Sequence, residues 1–121
     1  MNNLFSKKFN KLKGGVGEDI ALKYIKKHLK YKIIKTNYAC DIGEIDIIAK
    51  DKHILVFIEV KYRTSDMYGL PREAVNAVKQ RKIKQTAISY LKFNNVYESV
   101  DVRFDVVDIL DGQITYIEGA F

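Results

Sequence analysis

Glu44, Asp46, Glu59 and Lys61 have the residue types and spacing to hold a cation beside a phosphate. They lie on two apolar runs, Glu44 to Ala49 and Ile54 to Tyr62, joined by the polar stretch Lys50-Asp51-Lys52-His53, which reads as a hairpin turn. Side chains alternate along a strand, so all four project to one face, and any turn with an even number of residues keeps that parity. With the turn centred on Asp51-Lys52, Glu44 faces Glu59, and Asp46 faces Phe57 and lies diagonal to Glu59.

Three carboxylates on a face that also carries Ile48, Leu55 and Phe57 repel one another and resist burial. Such a cluster persists where something neutralises it, and Lys61 supplies only one positive charge. Oxygen-only ligands select a hard cation, Mg²⁺ or Mn²⁺, rather than zinc. Alternating Glu and Lys also describes a solvated strand with cross-strand pairs. Here, however, the face is apolar along most of its length and turns polar only at its end, where sites form.

The elements that must position these residues are legible in the surrounding sequence. Val16, Ile20, Ala21, Tyr24 and Ile25 recur at helical spacing and predict a helix over 16–29. Tyr31 to Tyr38 reads as a first strand. The run ILVFIEVKY is apolar on both faces over its first half, which marks a central strand covered on both sides. Arg63 to Leu70 reads as a loop, and Pro71 stands where a helix can begin. A long helix is predicted over 72–93, with Ile83, Ala87, Tyr90 and Leu91 as its apolar stripe. Two further strands, 100–110 and 113–118, turn at Asp111-Gly112. The order α-β-β-β-α-β-β implies an α+β fold, a mixed central sheet flanked by helices.

The 121 residues fit one domain, expected over 14–121, preceded by a basic arm over 1–13 that reads as flexible. Net charge is +6 but unevenly spread: residues 1–35 hold ten lysines against Glu18 and Asp19 and carry +8, leaving −2 for the rest. A basic lobe suits a polyanion, either nucleic acid or an anionic membrane surface, although a solvated lysine-rich surface has the same composition. Cys40 is the only cysteine, so neither a disulfide framework nor a Cys-based zinc site is available. His28 and His53 have no partner at metal-ligand spacing. No apolar run approaches the ~18 residues of a membrane span. The N-terminal lysines are not followed by a continuous apolar stretch, so neither a membrane nor a signal peptide is expected, and the cytoplasm is the expected location.

Asp46, twelve residues, then Glu59-Val60-Lys61 resembles the motif of the PD-(D/E)xK nuclease superfamily, which has a restriction-endonuclease-like core. The closer resemblance is to the YraN-like family, small bacterial proteins related to Holliday-junction resolvases. It is carried by Gly17-Glu18 with Ala21, Asn37-Tyr38, Gly43-Glu44-Ile45-Asp46-Ile47-Ile48-Ala49, and Val56-Phe57-Ile58-Glu59-Val60-Lys61-Tyr62-Arg63. Lys79-Gln80-Arg81-Lys82-Ile83, Arg103-Phe104-Asp105-Val106 and the terminal Ala120-Phe121 extend it over nearly the whole chain from Val16. The superfamily's proline before the aspartate is Ile45 here, as in this family generally. The spacing D-x(12)-E-x-K is weak alone; its combination with G-E-I-D and F-I-E-V-K-Y-R is specific.

The resemblance implies a metal-dependent endonuclease acting on DNA, including branched DNA, with Mg²⁺ or Mn²⁺ as cofactor. A homodimer would supply two symmetrical cuts. Asp46 and Glu59 would ligate the metal, with the Val60 carbonyl an extra ligand, and Lys61 would orient the attacking water and offset transition-state charge. Glu44 either ligates a second metal or forms a salt bridge. Glu18 matches the first-helix glutamate that joins the metal site in resolvase-like relatives; alternatively it complements the helix dipole. Gln80, on the extension of the Ile83 stripe, either holds a water or phosphate or satisfies a buried backbone group. Lys7, Lys8, Lys11, Lys13, Arg63, Lys79, Arg81, Lys82 and Lys84 would grip backbone phosphates without reading sequence. Asp105, breaking an apolar strand, is expected to be structural and to pair with Arg103 or Arg63. The reading from another class is a nucleic-acid-binding module that keeps the fold without turnover.

Overall fold

The structure, a computed structural model, describes residues 15–65, 75–96 and 99–121. The N-terminal arm with Lys7, Lys8, Lys11 and Lys13, and most of the loop with Pro71, lie outside the described residues. Helix α1 covers residues 15–24 and runs into a π-helical turn, Ile25–Leu29. Lys30 ends it in the left-handed conformation (φ 61°), its N–H donating to the Ile25 carbonyl at 2.7 Å. Lys26, Lys27 and His28 in this last turn complement the negative end of the helix dipole.

Strands β1 (Lys32–Ala39), β2 (Glu44–Asp51) and β3 (Ile54–Arg63) follow as an antiparallel meander. Helix α2 (Ala77–Phe93) then crosses to β4 (Asp101–Leu110), which runs parallel to β3, and β5 (Gln113–Ile117) returns antiparallel. The sheet order is β1-β2-β3-β4-β5, a mixed five-stranded sheet. This is the α+β architecture predicted, consistent with a restriction-endonuclease-like core. The final hairpin turns at Asp111-Gly112, both at positive φ (50° and 80°), the conformation a tight two-residue turn requires.

Alternate residues of β3 go to opposite cores. Val56 and Ile58 join Ile47, Ala49, Val107 and Ile109 beneath Ala21 of α1 and Ile25 of the π-helical turn. Leu55 and Phe57 join Ile45 and Ile48 beneath Ile83, Ala87 and Leu91 of α2. Burial on both faces explains the unbroken apolar run in β3. The approach of α1 depends on Gly17, where a Cβ would stand 2.6 Å from the Tyr62 Cβ.

Two expectations are corrected. The first hairpin turns at Lys52-His53, pairing Asp51 with Ile54 and Ile48 with Phe57, two residues from the expected register. Glu44 therefore does not face Glu59, and Phe57 does not face Asp46. Helix α2 begins at Ala77 rather than in the low seventies: Val75 and Asn76 are not helical, and Asn76 caps the helix by accepting from the Lys79 N–H at 2.9 Å.

Candidate metal centre

The β2–β3 ladder runs as far as the Ile47–Ile58 pair. One step further, where Asp46 would come level with Glu59, the regular alternation of β2 fails. Ile45 packs in the α2-side core and Ile47 in the α1-side core, although residues two apart on a regular strand share a face. Asp46 sits at this reversal and its carboxylate reaches toward β3, where Oδ2 accepts the Val60 N–H at 2.8 Å. The side chain thus replaces a rung of the ladder, and the aspartate is pinned against the motif's second half.

That position is electrostatically costly. Burial pushes the Asp46 carboxyl up to about 7, aided by the neighbouring Glu59 charge and a shared hydrogen bond with its carboxyl; the Val60 N–H opposes the rise. The more distant Glu44, exposed at the start of β2, adds slightly to it. Glu59 is itself only 11% exposed, and its Oε2 meets the Lys79 ammonium of α2 at 3.2 Å. Alternation from Phe57 puts Glu59 and Lys61 on the α2 side, and Lys61 is half-buried there.

The parallel partner strand adds a carboxylate that the sequence did not reveal. Asp108 pairs with Lys61 in the ladder, shares its face and is buried. It accepts from Arg63 at 2.6 Å. Arg63, grouped with the phosphate-contacting residues above, is therefore engaged inside the domain, 18% exposed. The signal lay in the periodicity Phe104-x-Val106-x-Asp108, which matches Phe57-x-Glu59-x-Lys61 once the two strands are known to be parallel.

The remaining sequence-predicted residues disperse. Glu18 accepts from the Asn37 side-chain amide at 2.9 Å. Gln80 donates to the Val75 carbonyl at 2.8 Å, tying down the chain just before α2. Arg81 and Lys82 are exposed on α2. Lys84 lies over the rings of Phe104 and Phe121, 5.8 Å from each centroid, at the end of a stack formed with Phe57. On the opposite face, Asp105 is fully buried. It accepts from Arg103 at 3.0 Å, from the Tyr116 hydroxyl and from the Gly119 N–H at 2.9 Å, the structural role expected of it.

Among the described residues, no three carboxylate, imidazole or thiolate groups converge closely enough to cage a metal ion. The donor set at the reversal is two carboxylates, Asp46 and Glu59. This fits Mg²⁺ or Mn²⁺, which take one or two protein carboxylates and complete their shell with water and substrate phosphate. The raised Asp46 carboxyl follows from burial beside a second carboxylate.

The pattern of the Uncharacterised protein family UPF0102 matches residues 17–109. The chain belongs to the UPF0102 (YraN) family. It is 45% identical to a UPF0102 protein of Lachnoclostridium phytofermentans over 92% of this chain and 93% of that one. A Clostridium botulinum relative is 48% identical over 84% of this chain and 81% of its own length, and one from Geobacter metallireducens 44% over 90% and 88%. Among the described residues, this UPF0102 chain has no helix long and apolar enough to cross a membrane.

Proposed function

We propose that this protein is a metal-dependent endonuclease that hydrolyses phosphodiester bonds of DNA, with branched, junction-like DNA as the preferred substrate. It would act in the cytoplasm as a homodimer, whose two-fold symmetry supplies paired cuts. The observation that carries this reading is the Asp46–Glu59 pair at the reversal of β2, with Lys61 two residues further along β3. A module that only bound nucleic acid would gain nothing from two facing acids that repel phosphate.

Asp46, Glu59 and the Val60 carbonyl would hold the cation, which supplies Lewis acidity to a phosphate oxygen and acidity to a water. Asp46 is fixed by the Val60 N–H, so its remaining lone pairs keep one direction. Lys61 would hold the water or the developing phosphate charge. Arg81 and Lys82, exposed on α2, would meet flanking phosphates, as would the four lysines of the N-terminal arm.

The test is calorimetric titration of Mn²⁺ into the wild type, Asp46→Asn and Glu59→Gln, followed by cleavage of a four-way DNA junction. Binding to the wild type alone, with cleavage lost in both variants and in Lys61→Ala, supports the reading. That no three carboxylate, imidazole or thiolate groups converge among the described residues favours one alternative, a non-catalytic nucleic-acid-binding module. Steeply salt-dependent DNA binding without cleavage at saturating Mn²⁺ would establish that alternative.

A further inference from the structure

Lys79 occupies an unfavourable place for a cation. With Asn76 as the cap, it is the third residue of α2, in the first turn, where the helix dipole is positive and acidic residues are preferred. The first turn of α2 holds no acidic residue at all. Yet the side chain of Lys79, 45% exposed, reaches the largely buried Glu59 and stands 3.2 Å from its Oε2. Glu59 in turn faces the charge-strained Asp46. The lysine therefore serves the carboxylate pair and not the helix that carries it.

We propose that Lys79 is a displaceable counter-cation: its ammonium neutralises Glu59 until a divalent cation takes that carboxylate, and is then released toward the phosphate backbone. The inference rests on the metal-binding reading of Asp46 and Glu59. Two cations cannot share one carboxylate oxygen at contact distance without strong repulsion, so metal binding and the Lys79–Glu59 ion pair compete. The exposed side of Lys79 gives the ammonium somewhere to go, whereas Lys61, half-buried on the sheet, remains in place. A freed lysine on the positive end of α2 would add to the attraction for an incoming phosphate.

Calorimetric titration of Mn²⁺ into wild type, Lys79→Met and Lys92→Met tests this. Lys79→Met is expected to bind Mn²⁺ roughly two- to fivefold more tightly, the scale of a partly exposed ion pair. Lys92→Met removes the same charge from the exposed far end of α2 and is expected to stay within the error of wild type. A second readout is the rate at which an amine-reactive reagent labels Lys79, followed by peptide mass spectrometry. It is expected to rise when Mn²⁺ saturates the protein. Equal or weaker Mn²⁺ affinity in Lys79→Met, or equal tightening in Lys92→Met, overturns the displacement while leaving the metal site intact. No Mn²⁺ binding to any of the three proteins overturns both.

Discussion

Asn37 on β1 stands level with Asp46 on β2, and the pleat of both strands reverses at that level. The flanking pairs are Thr36 with Ile47 and Tyr38 with Ile45, so the two residues share one rung. Asn37 has φ 54°, the left-handed conformation that asparagine tolerates better than most residues, and this turns Tyr38 toward α2, where its ring meets Tyr90 at 5.1 Å. The Asn37 amide also holds Glu18. One irregular rung thus fixes Asp46 on one side and the α1 glutamate on the other.

Substitutions at Asn37 should separate its two contributions. Asn37→Gly keeps the left-handed backbone accessible but loses the amide, whereas Asn37→Ala loses both. Urea denaturation is expected to show Asn37→Ala less stable than Asn37→Gly by about 1 kcal/mol. Equal stabilities would show that the left-handed conformation at this rung carries no strain.

The raised Asp46 carboxyl makes stability depend on pH with a definite sign. In the unfolded chain an aspartate titrates near 3.9, whereas here it does so at about 7. Across that interval the folded protein holds a proton the unfolded chain has released, so stability falls as pH rises from about 4 to 7 and levels off above. Asp46→Asn still offers an oxygen to the Val60 N–H and carries no charge. In chelator it is expected to match wild type at pH 4 and exceed it by roughly 1–3 kcal/mol at pH 8. A wild type as stable as the variant at pH 8 would mean that the pair is not strained.

Gly17→Ala places a methyl group 2.6 Å from the Tyr62 Cβ. The clash is with the first atom of the tyrosine side chain, so no rotamer change relieves it. A loss of roughly 1–3 kcal/mol is expected by thermal or urea denaturation as α1 lifts from β3. Truncating Tyr62 to alanine leaves the same atom in place and is expected not to rescue it.

Asp105→Asn tests the buried network on the α1 face. The Arg103 and Tyr116 side chains and the Gly119 N–H all donate to this carboxylate, and Arg103 also donates to Asp51 at 3.0 Å. An amide presents a donor where only acceptors fit and leaves Arg103 without its buried counter-charge. The expected cost is about 3–5 kcal/mol, read as a large drop in melting temperature. A near-neutral effect would show that Arg103 is satisfied by Asp51 and Glu118 alone.

The parity of Glu59 and Lys61 was legible from alternation alone, and it survived a register error of two residues because an even shift preserves faces. Asp46 could not be placed that way: its strand reverses there, and the cause lies partly in Asn37, on another strand. Asp108 stayed hidden because its relevance depends on β4 running parallel to β3, a pairing between segments far apart in sequence. The engagement of Lys79 with Glu59 was invisible for the same reason. Lysines read as a phosphate-facing set look alike in sequence, whether they end on a ring stack, as Lys84 does, or on a carboxylate.

Among the described residues the sheet has one parallel joint, β3 to β4, and it is the strand pairing that α2 must span. Every other pair is closed by a short connection between consecutive strands. Asp46 and Glu59 both belong to the meander that precedes this joint, whereas Asp108 and the Arg63 ion pair exist only after it forms. Local contacts form faster than distant ones. In folding time, then, the two acids are expected to meet first and bare of their neighbours, so that divalent cation present during refolding acts on a half-built sheet; refolding rates that rise with Mn²⁺ would reveal it.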